Sequence, residues 1–319
     1  MTSLIRGGWI CSLNNCWLYL FLNSLLLLPV SAVDAEELPA VSGQRIELYE
    51  DAIPGKLGDG NGHTPHGLLY LPKRNNDAAP LSFIVIYPGG GYGGLAMDHE
   101  GYQIADWCNA HGLGALICVY RHRGGGYGHP IPLQDAQRAI RLVRHHAKDW
   151  HIDPTHVGII GFSAGGHLSS TVSTKFDLGN PSASNPIEKQ SSRPDAAILC
   201  YPVIGMGKPY THGGSQRNLL GENASPELIA SLSSEDQVTA DTPPTFLLHT
   251  QEDKAVVVDN SLVYYHSLVR NNVPSALHIF PTGPHGVGLA KKIPDTSNWP
   301  HLCMEWLKSR GFSVQSSQP

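Results

Sequence analysis

Gly161-Phe162-Ser163-Ala164-Gly165 sets a serine between two glycines at G-x-S-x-G spacing. The β-branched run Val157-Gly158-Ile159-Ile160 precedes it, after a turn signal at Asp153-Pro154, and Gly166 to Val172 can open a helix. Strand, tight turn and helix in that order make a nucleophile elbow, which strains the serine backbone and lifts its hydroxyl clear of the sheet. A side chain at Gly161 or Gly165 would clash where strand and helix cross, so glycine is required at both. The pentapeptide alone is a weak signal. Its place between a strand and a helix makes it specific.

A serine hydroxyl is a poor nucleophile at neutral pH and needs a base that is itself oriented by an acid. With this connectivity the partners follow in the order Ser, Asp/Glu, His. Asp253 lies just past the strand-like run Thr245–Thr250; Glu252 has the wrong alternation, and Asp259 suits a helix cap. Of the chain's 17 histidines, His285 alone sits in a turn-rich loop after the last strand-like run, Ala276–Phe280. His249, His266, His278 and His301 fall inside elements and read as ordinary packing or surface residues. Acyl transfer develops an oxyanion, which backbone amides must meet. Ala164, following the nucleophile, supplies one, and Gly90 and Gly91 of the loop Pro88-Gly89-Gly90-Gly91-Tyr92-Gly93-Gly94 supply the others. Tyr92, Tyr127 and Tyr210 occupy loops and are candidates for stacking on a sugar ring. The glycine cluster matches a dinucleotide fingerprint only loosely, with no P-loop lysine after it. Gly58-Asp59-Gly60-Asn61-Gly62 lacks the later glutamate of a calcium loop and reads as a turn. No metal site and no cofactor are expected.

The elements that must position these residues alternate along the chain. Arg45–Tyr49 and Gly67–Leu71 read as short opening strands at an antiparallel edge. Ser82–Tyr87 is a continuous apolar run, as a strand buried on both faces requires. Ala115–Tyr120, Ala196–Tyr201, Thr245–Thr250 and Ala276–Phe280 are further strands. Helical spacing marks Gly101–Ala110, Leu133–Ala147, Ser261–Asn271 and the stretch from Trp299 to Arg310. The alternation predicts an α/β fold: one mostly parallel sheet with helices on both faces. Phe176–Pro194 reads as a surface loop. Val203–Thr242 interrupts the alternation before the strand that leads to Asp253, with a short helix near Pro226–Ser233. It reads as a lid-like insertion over the C-terminal edge of the sheet, where ligands bind in such folds.

Composition bounds the rest. The 319 residues are 41% hydrophobic and 15% charged, with a formal charge of -5. That suits one α/β domain, and no basic patch points to nucleic acid. Arg6, the apolar run Cys16–Val30 and the small-residue site Val30-Ser31-Ala32 read as a signal peptide over residues 1–32, predicting a secreted or periplasmic protein with no stable membrane association after cleavage. Residues 33–312 then form a single catalytic domain, and 313–319 a disordered tail. Cys108, Cys118, Cys200 and Cys303 sit in apolar patterns and read as buried thiols, although an exported chain could pair them. Oligomeric state is not legible.

Taken as a set, YPGGGYGG (Tyr87–Gly94), YRHRGG (Tyr120–Gly125), the helix around Asp135-Gln137-Arg138-Ala139, Ile152-Asp153-Pro154, GFSAGGH (Gly161–His167), Glu252-Asp253 and Pro284-His285-Gly286 resemble the α/β-hydrolase superfamily, in its esterase/lipase branch that contains carbohydrate esterases of the acetylxylan and feruloyl type. The resemblance spans about Ile46 to Arg310. It implies the α/β-hydrolase fold, a Ser163, His285, Asp253 triad, an oxyanion hole at Gly90, Gly91 and Ala164, and an acylated carbohydrate or small ester as substrate. Many relatives have His before the glycine triplet, where this chain has Pro88, which leaves open what anchors the loop. The alternatives are a general short-chain carboxylesterase or lipase-like hydrolase, and a non-catalytic binding protein of hydrolase fold.

Overall fold

The computed structural model describes residues 43–50, 52–73 and 79–314. The signal peptide read at 1–32 and residues 315–319 of the predicted tail lie outside them. Eight strands form one sheet: β1 (Gln44–Glu47), β2 (His66–Tyr70), β3 (Leu81–Tyr87), β4 (Gly114–Val119), β5 (Ile152–Phe162), β6 (Ala197–Cys200), β7 (Thr245–Thr250) and β8 (Ser275–Phe280). Their order is β1-β2-β4-β3-β5-β6-β7-β8. β1 and β2 pair antiparallel at one edge, as does β2 with β4, and every later pairing is parallel.

Parallel strands need crossovers, and helices α1 (Gln103–Ala110), α2 (Ile131–His145), α3 (Ala164–Thr174), α6 (Asp259–Arg270) and α7 (Trp299–Ser309) lie between or after them. All seven residues of β3 are buried. Phe83, Val85 and Tyr87 point into a core with α2 and α3, through Ala136, Ile140, Val143, Leu168 and Val172. Ile84 and Ile86 point the other way, into a core with α1 and α7 that includes Ile104, Trp299, Met304 and Leu307. A period of two on a sheet covered twice explains the unbroken apolar run. Cys108, Cys118, Cys200 and Cys303 are buried free thiols in these cores.

Two expectations need correction. Asp153-Pro154 does not precede β5 but lies within it: Ile152 pairs with Leu81 and Val157 with Phe83, so residues 153–156 bulge out of the ladder. A proline cannot donate to the ladder, which is why a bulge accommodates it. The helix predicted from Gly101 begins as a separate turn, Asp98–Tyr102, before α1. The insertion holds two helices, α4 (Gly213–Leu220) and α5 (Pro226–Ser231).

One buried ion pair ties the loop after β4 to α2. Arg121 Nη2 meets Asp135 Oδ1 at 2.7 Å and Arg121 Nε meets Oδ2 at 2.9 Å, with side chains 1% and 0% exposed. The Arg121 amide and the Tyr49 hydroxyl also donate to the carboxylate. Burial pushes the Asp135 carboxyl up, and Arg121 pulls against it. A pair like this adds little net stability, but removing one member strands the other charge. Asp135→Ala is expected to lose about 3–5 kcal/mol in urea unfolding; a loss under about 1 kcal/mol would show that the charge is not sealed from water.

Candidate active site

Ser163 stands where β5 ends and α3 begins, at φ 53° and ψ −118°. A non-glycine residue held there stores about 1–3 kcal/mol of strain. The neighbourhood enforces it. A Cβ at Gly161 would overlap the Gly165 carbonyl and Ser169 Oγ, and one at Gly165 would overlap the Tyr87 carbonyl. The Ser163 amide donates to the Cys200 carbonyl at 3.0 Å, pinning the elbow to the end of β6.

The loops after β7 and β8 bring Asp253 and His285 to this serine. His285 Nε2 is 2.7 Å from Ser163 Oγ, and His285 Nδ1 is 2.6 Å from Asp253 Oδ2. A carboxylate only accepts, so Nδ1 carries the proton and Nε2 accepts from the serine hydroxyl. Asp253 Oδ1 accepts the amides of Ala255 and Val256 at 3.0 and 2.9 Å. Burial alone would raise the Asp253 carboxyl. Hydrogen bonds from His249 and His285, with the Val256 amide, outweigh it and hold the group well below the usual carboxylate range. Glu252, the rejected rival, instead accepts the Gly283 amide at 2.9 Å and so braces the His285 loop.

The glycine loop after β3 runs beside Ser163: a Cβ at Gly89 would stand 2.9 Å from Ser163 Cβ. Gly90 and Gly91 have φ of 128° and 62°, conformations that suit glycine. Among the described residues, the amides of Gly90, Gly91 and Ala164 donate to no protein acceptor. The anchoring left open by Pro88 is supplied by other groups. The Tyr120 hydroxyl donates to the Pro88 carbonyl at 2.7 Å, and the Gly89 amide donates to Glu100 Oε2 at 2.8 Å. From the insertion, Asn218 Nδ2 donates to the Gly91 carbonyl at 2.8 Å. That contact sets α4 against this loop.

Tyr92 and Tyr127 are sealed inside and present no ring face for stacking. Tyr92 is 1% exposed, and its hydroxyl donates to His167 Nδ1 at 2.9 Å. The other nitrogen of His167 donates to the Leu232 carbonyl at 2.8 Å. Burial lowers the His167 pKa to about 4, so it stays neutral. Tyr127 is 3% exposed, lies under the Arg121 guanidinium and contacts His63 Nδ1 through its hydroxyl. Tyr210 is half-buried and donates to Glu235 Oε1 at 2.7 Å inside the insertion. A loop position says nothing about which way a ring turns, and here the rings of Tyr92 and Tyr127 turned inward.

Several residues at the site carried no clear sequence signal. His249, read as ordinary, is fully buried on β7; Nε2 donates to the Val256 carbonyl at 2.8 Å and lies 3.5 Å from Asp253 Oδ2. Two positions of alternation before the aspartate loop could have marked it. His212 caps α4, its Nδ1 accepting from the Ser215 hydroxyl at 2.8 Å. Burial lowers its pKa and the nearby His285 lowers it further. Glu100 resembles a solvated acid in a first helical turn, yet it is 3% exposed. Among the described residues, no group of His, Cys, Asp and Glu is arranged to hold a metal, and no helix is long and apolar enough to cross a membrane.

The Tyr92–His167–Leu232 chain joins the glycine loop, α3 and the insertion, so Tyr92→Phe should cost about 1–2 kcal/mol of stability and change KM for small and large esters alike. A KM rise confined to oligosaccharide esters would return Tyr92 to the substrate.

The BD-FAE family model matches residues 68–268. An acetylxylan esterase of Xylanibacter ruminicola is 37% identical over 243 residues, covering 73% of this chain and 47% of that protein. An endo-1,4-beta-xylanase B of Butyrivibrio fibrisolvens is 37% identical over 232 residues, covering 72% and 35%. The chain thus spans about half or less of the length of these two relatives. The crystal structure of an acetyl ester-xyloside bifunctional hydrolase from Caldicellulosiruptor lactoaceticus superposes with a TM-score of 0.80 at 44% identity, covering 85% of this chain and 97% of that one. Matched region, sheet order and relatives agree: the chain belongs to the BD-FAE family and has the α/β-hydrolase fold.

Proposed function

We propose that the protein is a serine ester hydrolase that removes acetyl or similar small acyl groups from plant-type polysaccharide fragments. The observation that carries this is the continuous hydrogen-bonded line from Ser163 Oγ through His285 to Asp253. Ser163 Oγ attacks the ester carbonyl while His285 Nε2 takes its proton. The carbonyl oxygen, now anionic, accepts from the amides of Gly90, Gly91 and Ala164. His285 returns the proton to the departing sugar oxygen as the C–O bond breaks. Water then attacks the acyl-serine by the same route, releasing the acid and restoring the hydroxyl. Asp253 keeps Nδ1 protonated and stabilises the imidazolium. Each oxyanion donor contributes about 3 kcal/mol to such a transition state.

The substrate class rests on the relatives named as an acetylxylan esterase and an acetyl ester-xyloside hydrolase. Tyr92 and Tyr127 are buried and the Tyr210 hydroxyl is bonded to Glu235, so the sugar is argued from the relatives and not from these side chains. A general short-chain carboxylesterase is therefore the second reading. The relative named as a xylanase is matched over 35% of its length, and that name is not carried over.

Hydrolysis of p-nitrophenyl acetate and acetate release from acetylated xylan should both be lost, by at least about a thousandfold, in Ser163→Ala. Acetate release from xylan equal to that of aryl esters supports the carbohydrate reading. Activity on aryl esters alone supports the general esterase, and activity unchanged in Ser163→Ala would overturn both.

A further inference from the structure

Glu100 is a buried carboxylate that the proposed reaction does not use. It sits in the turn Asp98–Tyr102, with its side chain 4% exposed. Oε2 accepts the Gly89 amide at 2.8 Å, at the root of the glycine loop. Oε1 accepts the Tyr201 hydroxyl at 3.0 Å. Tyr201 follows β6 at φ 38°, a strained conformation for a non-glycine residue. Its ring meets the His285 ring edge-on, 5.2 Å between centroids. Its oxygen also accepts the Gly288 amide at 3.0 Å, three residues beyond His285. One carboxylate therefore grips both the loop that carries Gly90 and Gly91 and, through Tyr201, the loop that carries His285.

We propose that Glu100 is a positioning residue, ionised in the working enzyme, that holds the oxyanion loop and the His285 loop in register. The inference rests on the reading of Ser163, His285 and Asp253 given above. The hydrogen bonds indicate ionisation. The Gly89 amide can only donate, and the Tyr201 oxygen already accepts from Gly288, which leaves its proton for Glu100. Both carboxyl oxygens accept, the pattern of a carboxylate. His99 Nε2, on a side chain 44% exposed, lies 3.6 Å from Oε1. Tyr120, Cys200, Tyr201 and His285 are the other titratable groups within its field. His285 in turn faces Asp253, Tyr201, His212 and Glu100.

Burial raises the Glu100 carboxyl, against the Gly89 amide, His99, Tyr201 and His285, so its protonation in acid releases its grip on both loops. Replacing the carboxylate removes that titration and moves the acid limb of kcat/KM down.

The experiment compares wild type, Ser163→Ala, Glu100→Gln and Tyr201→Phe on p-nitrophenyl acetate, with active serines counted by a fluorophosphonate. Glu100→Gln should lower kcat per titrated serine about tenfold, leave KM within about twofold, and move the acid limb down by about half a pH unit. Tyr201→Phe keeps the carboxylate and should lower kcat per titrated serine with the limb in place. A merely structural role would reduce the number of titrated serines and leave kcat per serine within twofold, which overturns the proposal. An unmoved limb in Glu100→Gln overturns it too. If Glu100→Gln does not fold, kcat per serine in Tyr201→Phe decides by the same criterion. Ser163→Ala inactive with Glu100→Gln at the wild-type rate refutes this inference alone; an active Ser163→Ala refutes the triad and this inference with it.

Discussion

The His285 imidazole must hold two hydrogen bonds in opposite directions at once, to Ser163 at 2.7 Å and to Asp253 at 2.6 Å. That demand explains much of the C-terminal edge of the sheet. The β7 loop turns so that two amides fix one oxygen of Asp253, leaving the other for Nδ1. Glu252 and Thr250 fasten Gly283, two residues before the imidazole, to the same loop. Tyr201 closes one side of the ring and His249 stands behind the carboxylate. A rotation of the imidazole by a few tens of degrees would break both bonds, so the surrounding loops are bound to each other rather than left to solvent.

Ser163 is held by a different device. Its φ of 53° is imposed by a strand and helix packed too closely for side chains at Gly161 and Gly165. The parallel strands on either side supply the rigidity. The Ser163 amide is bonded to the end of β6, and the glycine loop leaves the end of β3 next to it. Strain of a few kcal/mol is tolerable because two cores, one on each face, bury nearly every residue of the central strands. Farther out, Arg121 and Asp135 lock the β4 loop to α2, and that loop meets the glycine loop where the Arg123 amide donates to the Tyr92 carbonyl at 2.8 Å.

What the sequence disclosed follows the physics of each signal. Order along the chain and the position just past a strand located Ser163, Asp253 and His285, because topology leaves few places for each. Strand Thr245–Thr250 was legible to the residue, from the apolar run Phe246-Leu247-Leu248, and His249 within it is buried as well. Side-chain direction was not legible. Tyr92 lies within the glycine loop, and its place there suggested a ring open to a sugar. The ring is instead sealed inside on His167, and Glu100, which drew no reading at all, is buried beneath Gly89. Each outcome depends on partners more than 70 residues away or on a neighbouring loop's path, which periodicity does not encode. The role of Pro88 was obscure for the same reason: its carbonyl is held by Tyr120, just past the neighbouring strand β4.

The most direct test of the account is covalent. A fluorophosphonate reacts at an activated serine and reports both which serine is activated and how strongly. Peptide mapping should find the label on Ser163 alone, with the rate of labelling falling by about a thousandfold or more in His285→Ala. Label on another serine, or an undiminished rate in His285→Ala, would contradict the claim that this imidazole makes Ser163 a nucleophile.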